Sequence, residues 1–208
     1  MSMIQYLPFQ SAYLDGMTEI IYQVWDMERL CGSAELGRVM AAKYLCGCFE
    51  ESTFIMTAVK DGSPVGLILA RAEGAEPLQA PLEWKGSLGR YSCQKKDLAR
   101  VKQYDENLSQ YQMACKTLME SCAEFFGGEI TLFAVSPRMQ GMGIGTQLFQ
   151  LARRYLSSFQ CSQYFLYTDS TCTYAFYDAH GLKRIREGTM DSPLTGQSLR
   201  LFLYQGMA

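Results

Sequence analysis

Three glycines at alternate positions are the residues of this chain best suited to holding an anion. Gly141, Gly143 and Gly145 follow a β-rich run that ends at Val135, and an amphipathic helix is predicted directly after them. A turn between a strand and a helix exposes unpaired backbone N–H groups at the positive helix end, and glycine lets a phosphate approach closely. No Lys-Ser/Thr pair follows, and the spacing does not fit GxGxxG, so both common nucleotide motifs are excluded.

The other reactive side chains restrict the chemistry further. His180 is the only histidine, so a Ser-His-Asp triad or a Cys-His pair could be built only around this residue. It precedes Gly181, where it would cap the negative end of a short helix. The cysteines are scattered and form no CxxC, so we expect reduced thiols and no metal site. Cys46 and Cys48 could form a redox pair, but a lone CxC at a helix end is more often incidental.

Length and charge exclude several classes of function. The chain has 208 residues, 48% of them hydrophobic, and a net charge of −2. At this size a globular domain buries roughly 70% of its unfolded surface without disulfides or metal. The balanced charge argues against a nucleic-acid partner. No apolar run is long enough to span a membrane, and no secretory signal is visible, so we expect a cytoplasmic protein without a membrane partner.

Periodicity predicts a mixed α/β chain whose strands and helices would position the glycine turn. Alternating apolar residues indicate strands, and apolar residues at steps of three and four indicate helices. The predicted strands are 4–7, 54–59, 65–70, 129–135, 164–168 and two closing strands near 182–185 and 199–204. The predicted helices are 17–25, 33–44, 146–156, a short one ended by Gly181, and a long one over about 101–125.

The long helix carries an apolar stripe with two interpretations. Its members recur at steps of three and four: Val101, Tyr104, Leu108, Tyr111, Cys115, Leu118, Cys122 and Phe125. The stripe could pair with a second copy of the chain and form a homodimer. We favour packing against the chain's own sheet, which produces a similar pattern.

The glycine turn and its surroundings resemble the GNAT superfamily of acyl-CoA-dependent N-acyltransferases. Gln140, Gly143 and Gly145 match the family signature, and Phe176, Tyr177 and Gly181 match a later motif. The close match covers about residues 129–182. The resemblance implies a mixed α/β fold of GNAT type, with a mostly antiparallel sheet that splays at the cofactor cleft and is flanked by helices. It also implies one domain over 1–208, with a long helical insertion at about 71–128.

The resemblance also implies acetyl-CoA as co-substrate and no metal. The pyrophosphate would bind the backbone amides of Gln140, Gly141, Met142, Gly143, Ile144 and Gly145, together with the Thr146 hydroxyl. The pantetheine arm would lie along Phe133, Ala134 and Val135, because its amides can pair with an open strand edge. Ser170 would face the cofactor at a position where relatives usually carry Asn.

Two residues are the candidate catalysts. Tyr177 matches the family tyrosine that supplies a proton to the departing thiolate, although it could simply be an aromatic of a short helix. Glu129 resembles a catalytic base, although such residues often face solvent or bind substrate, and many relatives use a water chain. Strand alternation puts Glu129 on the same face as Thr131, Phe133 and Val135.

The predicted activity is transfer of acetyl from acetyl-CoA to a primary amine by direct attack in a ternary complex. The acceptor, a small molecule or a peptide, is not identified by the sequence. Two alternatives remain: an acyl-CoA-binding sensor without turnover, and an enzyme that uses a longer acyl-CoA. Glu73, Glu76 and Glu83 in the insertion could attract an amine, or could be ordinary exposed side chains.

Overall fold

A single sheet runs through the computed structural model, which describes residues 3–79 and 95–208. In the described residues its order is β1-β2-β3-β4-β5-β7-β6. The strands are β1 (Gln5–Pro8), β2 (Phe54–Lys60), β3 (Ser63–Ala72), β4 (Gly128–Val135), β5 (Gln163–Asp169), β6 (Lys183–Asp191) and β7 (Ser198–Met207). The helices are α1 (Leu14–Val24), α2 (Met27–Cys31), α3 (Ala34–Glu50), α4 (Leu98–Glu120), α5 (Ile144–Ser158) and α6 (Ala175–Ala179). Glu83 and Cys93 lie outside the described residues.

The sheet splits between β4 and β5. All other neighbouring strands pair antiparallel, whereas β4 and β5 run parallel and pair only at Gly128 with Tyr164 and at Glu129 with Phe165. Beyond those two pairs the strands diverge, so the β4 edge that faces β5 has no strand partner. The prediction of a mostly antiparallel sheet that splays at one cleft is confirmed.

A β-bulge at Thr131 changes which residues of β4 share a face. Leu69 pairs with Leu132 and Ala70 pairs with Ile130, so Thr131 is the extra residue on β4. Its hydroxyl lies 2.6 Å from that of Ser52, which is fully buried after α3. The extra residue reverses the alternation, so the prediction that Glu129 shares a face with Phe133 and Val135 is wrong.

The two faces of the sheet carry separate apolar cores. On one face α1 and α3 cover β2, β3 and β4, and Leu132 and Ala134 belong to this first core. On the other face α5 packs through Leu148 and Phe149 in a second core, and Phe133 and Val135 contact it. Glu129 precedes the bulge by two residues and therefore points to the first face, toward α3.

Helix α4 crosses the split on that first face. Near its N-terminus, Tyr104 packs into the first core with α1 and α3. Near its C-terminus, Cys115 and Leu118 pack against apolar residues of β6 and β7. The predicted intramolecular packing of the stripe is confirmed, but the helix ends at Glu120 and Phe125 is 75% exposed beyond it.

Several boundaries differ from the sequence predictions for local reasons. Helix α5 begins two residues early, because Gly143 in the left-handed region serves as its N-cap. The short helix α2 was not predicted; it starts after Asp26 in the left-handed region and ends at Gly32. The closing strands are longer than predicted because β6 and β7 pair over their whole length. None of the described helices combines the length and apolar character needed to cross a membrane.

Candidate active site

The glycine turn lies at the C-terminal end of β4, where the split is open. Gly141 and Gly143 have φ angles of 75° and 77°, in the left-handed region that glycine tolerates best. A Cβ at either position would meet nothing within 4 Å. No side chain caps α5, so the first-turn N–H groups lack an intrahelical partner and face outward at the positive helix end. This backbone can hold an anion.

The residues next to Gly141 and Gly143 differ in their contacts. A Cβ at Gly145 would lie 3.2 Å from Phe133 Cζ and 3.5 Å from Phe176 Cε2, so this glycine permits close packing of α5 on aromatic rings. The Ile144 side chain is buried in the second core, whereas Met142 is 56% exposed. Ile144 and Met142 therefore offer an anion only their backbone.

The predicted pantetheine strand and Gln140 lie beside this turn. The Gln140 Nε2 atom donates to the Val135 carbonyl at 3.3 Å, which ties the turn to the end of β4. The ring of Phe133 lies 5.2 Å from that of Phe176, while Ala134 is buried on the opposite face. Ser170 is engaged elsewhere: its hydroxyl accepts from the Arg200 N–H at 3.2 Å, so it joins the end of β5 to β7.

His180 connects α6 to the start of α5. Its Nδ1 lies 2.7 Å from the Phe176 carbonyl and its Nε2 lies 3.1 Å from the Thr146 hydroxyl. A carbonyl can only accept, so Nδ1 carries the hydrogen, and in the neutral ring Nε2 then accepts from Thr146. The predicted capping of α6 by His180 is confirmed. The Thr146 hydroxyl, expected to face the pyrophosphate, has its proton directed to His180.

Tyr177 lies among aromatic rings next to the split. Its ring centroid is 6.2 Å from that of Phe149 on α5 and 5.5 Å from that of Tyr204 on β7. Burial, with the nearby Cys172, raises its pKa well above the usual tyrosine range, so the hydroxyl stays protonated at neutral pH. Within the part of the chain that the structure describes, this hydroxyl has no hydrogen-bond partner.

A polar network anchors α6 and hence Tyr177. The Tyr204 hydroxyl donates to Asp178 at 2.7 Å and accepts from the Arg184 guanidinium at 2.8 and 3.0 Å. Arg184 also pairs with Glu187 at 3.1 Å and lies 4.2 Å over the Phe202 ring. These contacts fix α6 to β6 and β7.

Glu129 lies at the closed end of the split on the first face. Its carboxylate accepts from the Arg71 guanidinium, and its side chain is only 16% exposed. Burial raises the pKa of this carboxyl above the usual range, and the Arg71 charge lowers it by a smaller amount. The outcome is a carboxylate that holds a proton more tightly than an ordinary glutamate.

Glu129 also lines an open cavity of about 390 Å³, a volume typical of small-molecule sites. The cavity combines acidic and aromatic walls. Its described charged residues are three glutamates and one arginine, and its rings come from the segment after α4 and from β5: Glu51, Glu73, Glu129, Arg71, Phe125, Phe126 and Phe165. Arg71 is already paired with Glu129, so the cavity favours a cation.

Hydroxyls and thiols fill the space beneath α4. The groups come from α3, α4, β5 and the loop after β5: Tyr44, Cys48, Tyr111, Cys115, Tyr167 and Cys172. Burial raises the pKa of the Cys48 and Cys115 thiols to about 12. Tyr111 interacts electrostatically with Tyr44 on α3 and with Asp169 at the end of β5. These side chains therefore lie close to one another beneath α4.

Comparison of the sequence with models of protein families identifies the family of this chain. The model of the Acetyltransferase (GNAT) family matches residues 21–182. The chain belongs to the GNAT family. No curated protein sequence matches it.

Solved structures share the GNAT architecture at low identity. The PaiA N-acetyltransferase of Thermoplasma acidophilum, in complex with coenzyme A, is 13% identical with a TM-score of 0.56 over 99% of both chains. The yncA protein of Salmonella typhimurium, with acetyl-CoA, is 12% identical with a TM-score of 0.53 over 98% of this chain and 93% of that one. The ribosomal-protein-alanine N-acetyltransferase of Brucella melitensis is 12% identical with a TM-score of 0.55 over 98% and 99%. At these identities the likeness concerns the fold.

Three residues near the split carry no clear signal in the sequence. Thr131 forms the bulge, Ser52 holds it, and Asp169 lies buried at the end of β5. Asp169 alternates with Phe165 and Tyr167 along β5, and this spacing was the one available indication that it faces α4. Among the described residues no group of His, Cys, Asp and Glu is arranged to hold a metal ion.

Proposed function

We propose that this GNAT chain transfers acetyl from acetyl-CoA to a primary amine by direct attack in a ternary complex. The observation that carries the proposal is the split between β4 and β5, with an uncapped helix N-terminus at its open end and Glu129 at its closed end. Donor and acceptor would enter from opposite faces and meet where β4 has lost its strand partner.

The donor would be held by backbone groups. The amides from Gln140 to Gly145 would bind the pyrophosphate at the positive end of α5. The pantetheine amides would pair with the free edge of β4 along Phe133, Ala134 and Val135, as an added peptide strand would. Support comes from the positive φ of Gly141 and Gly143 and from the early end of the β4–β5 ladder.

Glu129 would act as the base. An amine attacks only as the free base, so the proton of the arriving ammonium must leave first. The raised pKa of Glu129 brings the carboxylate closer to the amine in proton affinity than an ordinary glutamate. The nitrogen then bonds to the carbonyl carbon, and a backbone N–H near the β4 edge would bind the oxyanion.

Tyr177 would supply a proton to the departing thiolate. As the tetrahedral intermediate collapses, the C–S bond breaks and its electron pair moves to sulfur. A protonated hydroxyl can donate a hydrogen bond to that thiolate, and the raised pKa of Tyr177 keeps the hydroxyl protonated. The Tyr177 hydroxyl would pass its proton to the thiolate, and the nitrogen, which still carries two hydrogens after its attack, would give up one proton to restore the tyrosine. The products are then an acetamide and coenzyme A.

The direct test is calorimetry with acetyl-CoA, followed by a screen of amines for release of free coenzyme A thiol. We expect binding of acetyl-CoA and amine-dependent release. Absence of binding would overturn the proposal. Replacing acetyl-CoA by longer acyl-CoA donors in the same screen tests whether a longer chain is preferred.

A binding module without turnover is the competing function, and Tyr177→Phe separates the two. An enzyme of the proposed kind would lose at least about tenfold in kcat with unchanged acetyl-CoA affinity. The matched control is Tyr174→Phe, because Tyr174 is on the same turn and its ring lies under Arg184. A sensor would show no rate for either variant to reduce.

A further inference from the structure

Arg71 and Glu129 lie directly opposite each other on β3 and β4. The register pairs the two residues. Arg71 lies on the first face of the sheet, as Glu129 does, because Leu69 packs into the first core whereas Ala70 and Ala72 pack into the second. The Arg71 guanidinium donates to Oε2 of Glu129, and among the described residues no second hydrogen bond reaches this carboxylate. Oε1 can therefore accept a proton from a ligand in the cavity that Glu129 lines.

The surroundings of Glu129 oppose its negative charge. Its side chain is only 16% exposed, and its partner on β5 is Phe165. Glu51, directly after α3, and Glu73, directly after β3, line the same cavity, and the charge of Glu51 raises the pKa of Glu129. A buried carboxyl beside another carboxylate retains its proton well above the usual range unless a cation offsets both effects. Arg71 is the only cation among the described residues that line the cavity.

The other titratable groups next to Glu129 are neutral where carboxyls ionise. They are two thiols and a phenol, from α3, α4 and β5: Cys48, Cys115 and Tyr167. Burial raises the pKa of each thiol to about 12 and raises the pKa of the Tyr167 hydroxyl above its usual range. Arginine stays charged at every pH at which a protein is folded. The ionisation of Glu129 therefore depends on the fixed charge of Arg71 and on the nearby carboxylates.

We propose that Arg71 is a positioning residue for acetyl transfer, which holds Oε2 of Glu129 and thereby presents Oε1 to the acceptor amine as a charged proton acceptor. This inference rests on the proposed function, in which Glu129 is the base. The Arg71 side chain is 49% exposed, so it reaches the carboxylate from the solvent side and fills no space in a core.

The bond to Arg71 has a consequence for the proton transfer itself. The proton of the arriving ammonium moves to Oε1, and the nitrogen keeps the electron pair that attacks the carbonyl carbon. A Glu129 that is already protonated cannot accept this proton. Arg71 takes up no proton. Its charge favours the ionised carboxyl before the transfer, and its N–H group keeps the carboxyl in one orientation.

Titration of the free protein tests this role without a substrate. The chain is labelled with ¹³C at the glutamate carboxyls, and the Glu129 resonance is assigned by its loss in Glu129→Gln. We expect Arg71→Met to move the midpoint of this resonance to higher pH by about one to three pH units. Arg71→Lys keeps a charge and should move it less. Glu51→Gln removes a neighbouring negative charge and should move it to lower pH, so Arg71→Met and Glu51→Gln shift the midpoint in opposite directions.

The pH–rate profile tests whether this effect serves catalysis. The assay uses acetyl-CoA and the amine that releases coenzyme A fastest in the screen. In Arg71→Met the acidic side of the kcat/KM profile should move with the titration midpoint. The alkaline plateau should fall about tenfold, because the carboxylate no longer holds one orientation. Arg71→Lys should restore part of the plateau, and the Kd for acetyl-CoA should not change in either variant.

The matched control is Arg38→Met, which breaks an ion pair of similar exposure between α3 and α1. Arg38 is 43% exposed and pairs with Glu19 at 3.1 Å. This variant should leave both the titration and the profile unchanged. If Arg71→Met does not fold, Arg71→Lys and Glu51→Gln decide through their opposite shifts.

The outcomes separate this inference from the proposed function. Turnover with an unmoved midpoint or an unmoved acidic side in the Arg71 variants would overturn the role of Arg71 and leave acetyl transfer standing. Absence of turnover in the parent chain would overturn acetyl transfer, and the role of Arg71 with it, whatever the titration shows.

Discussion

The Thr146 hydroxyl at the start of α5 donates to His180 Nε2 at the end of α6, across 3.1 Å. His180 is fixed in turn by its Nδ1–H bond to Phe176 and by stacking on the Phe176 ring, with centroids 3.9 Å apart. One hydrogen bond therefore links the turn proposed to bind the pyrophosphate to the helix that carries Tyr177.

Replacing Thr146 by valine measures what that bond contributes to donor binding. Thr146→Val keeps the β-branched shape and removes the hydroxyl. We expect the Kd for acetyl-CoA to rise about 2–10-fold, the value of one ordinary hydrogen bond, with little change in kcat. The measurement is calorimetric titration. An unchanged Kd would mean that the hydroxyl serves only to position His180.

Replacing Gly143 by alanine tests the backbone of the glycine turn. A Cβ there meets nothing within 4 Å, so the cost arises from the left-handed φ of 77°. We expect a loss of about 1–2 kcal/mol in the free energy of unfolding. This corresponds to a fall of about 2–8 °C in Tm. Acetyl-CoA binding should weaken as well.

The control for this variant is Gly47→Ala in helix α3. Its Cβ also meets nothing within 4 Å, but its backbone is helical. There alanine should leave Tm equal or raise it slightly. Equal responses at the two glycines would show that the turn is not strained by a side chain.

The rate should depend on pH through Glu129. The base acts when deprotonated, and its pKa is raised, mainly by burial. Activity should therefore fall on acidification at a higher pH than an ordinary glutamate would give. Glu129→Gln should remove this acidic limb and lower kcat about 10²-fold or more. The control Glu73→Gln changes a glutamate that lines the same cavity, and it should retain the acidic side of the pH–rate profile. If the acidic side persists in Glu129→Gln, Glu129 is not the base.

The Glu129 carboxyl also makes the free energy of unfolding depend on pH, in the opposite direction to the activity. A carboxyl with a higher pKa in the folded than in the unfolded protein binds its proton more tightly when folded. It therefore favours the folded state at low pH, and this contribution is lost as pH rises from the unfolded pKa through the raised folded pKa. Urea unfolding of Glu129→Gln and of the parent chain should show the variant gaining relative stability across that interval.

Removing Arg184 should loosen α6. Arg184→Met loses the bonds to Tyr204, Asp178 and Glu187, and the side chain is only 24% exposed. We expect a loss of about 2 kcal/mol in unfolding free energy and a reduced kcat, because Tyr177 loses its anchor. Arg200→Met removes a more exposed pair with Glu187 and should cost less than about 1 kcal/mol. Equal losses would show that α6 does not depend on Arg184.

The sequence predicts the parts of this site that depend on local chemistry. The turn at Gly141 and Gly143 follows from glycine's freedom at positive φ, and the cap at His180 follows from its place before Gly181. The bulge at Thr131 was missed, because threonine fits regular strand alternation and the extra residue appears only in the register with β3. The contact between Thr146 and His180 joins residues 34 positions apart, and no periodicity indicates such a pair. The path of α4 over the split could not be predicted either. An apolar stripe indicates which face of a helix is buried, but it does not indicate that the two ends of the helix pack into different cores.

Because of this path, residues of α4 can be substituted without changing contacts of the glycine turn. Its two ends pack on opposite sides of the split, both on the first face of the sheet. The glycine turn lies on the far side, against α5, and shares none of these contacts. Under the proposed function, we expect substitution of residues in the middle of α4 to change the preference among amines and to leave acetyl-CoA binding unchanged.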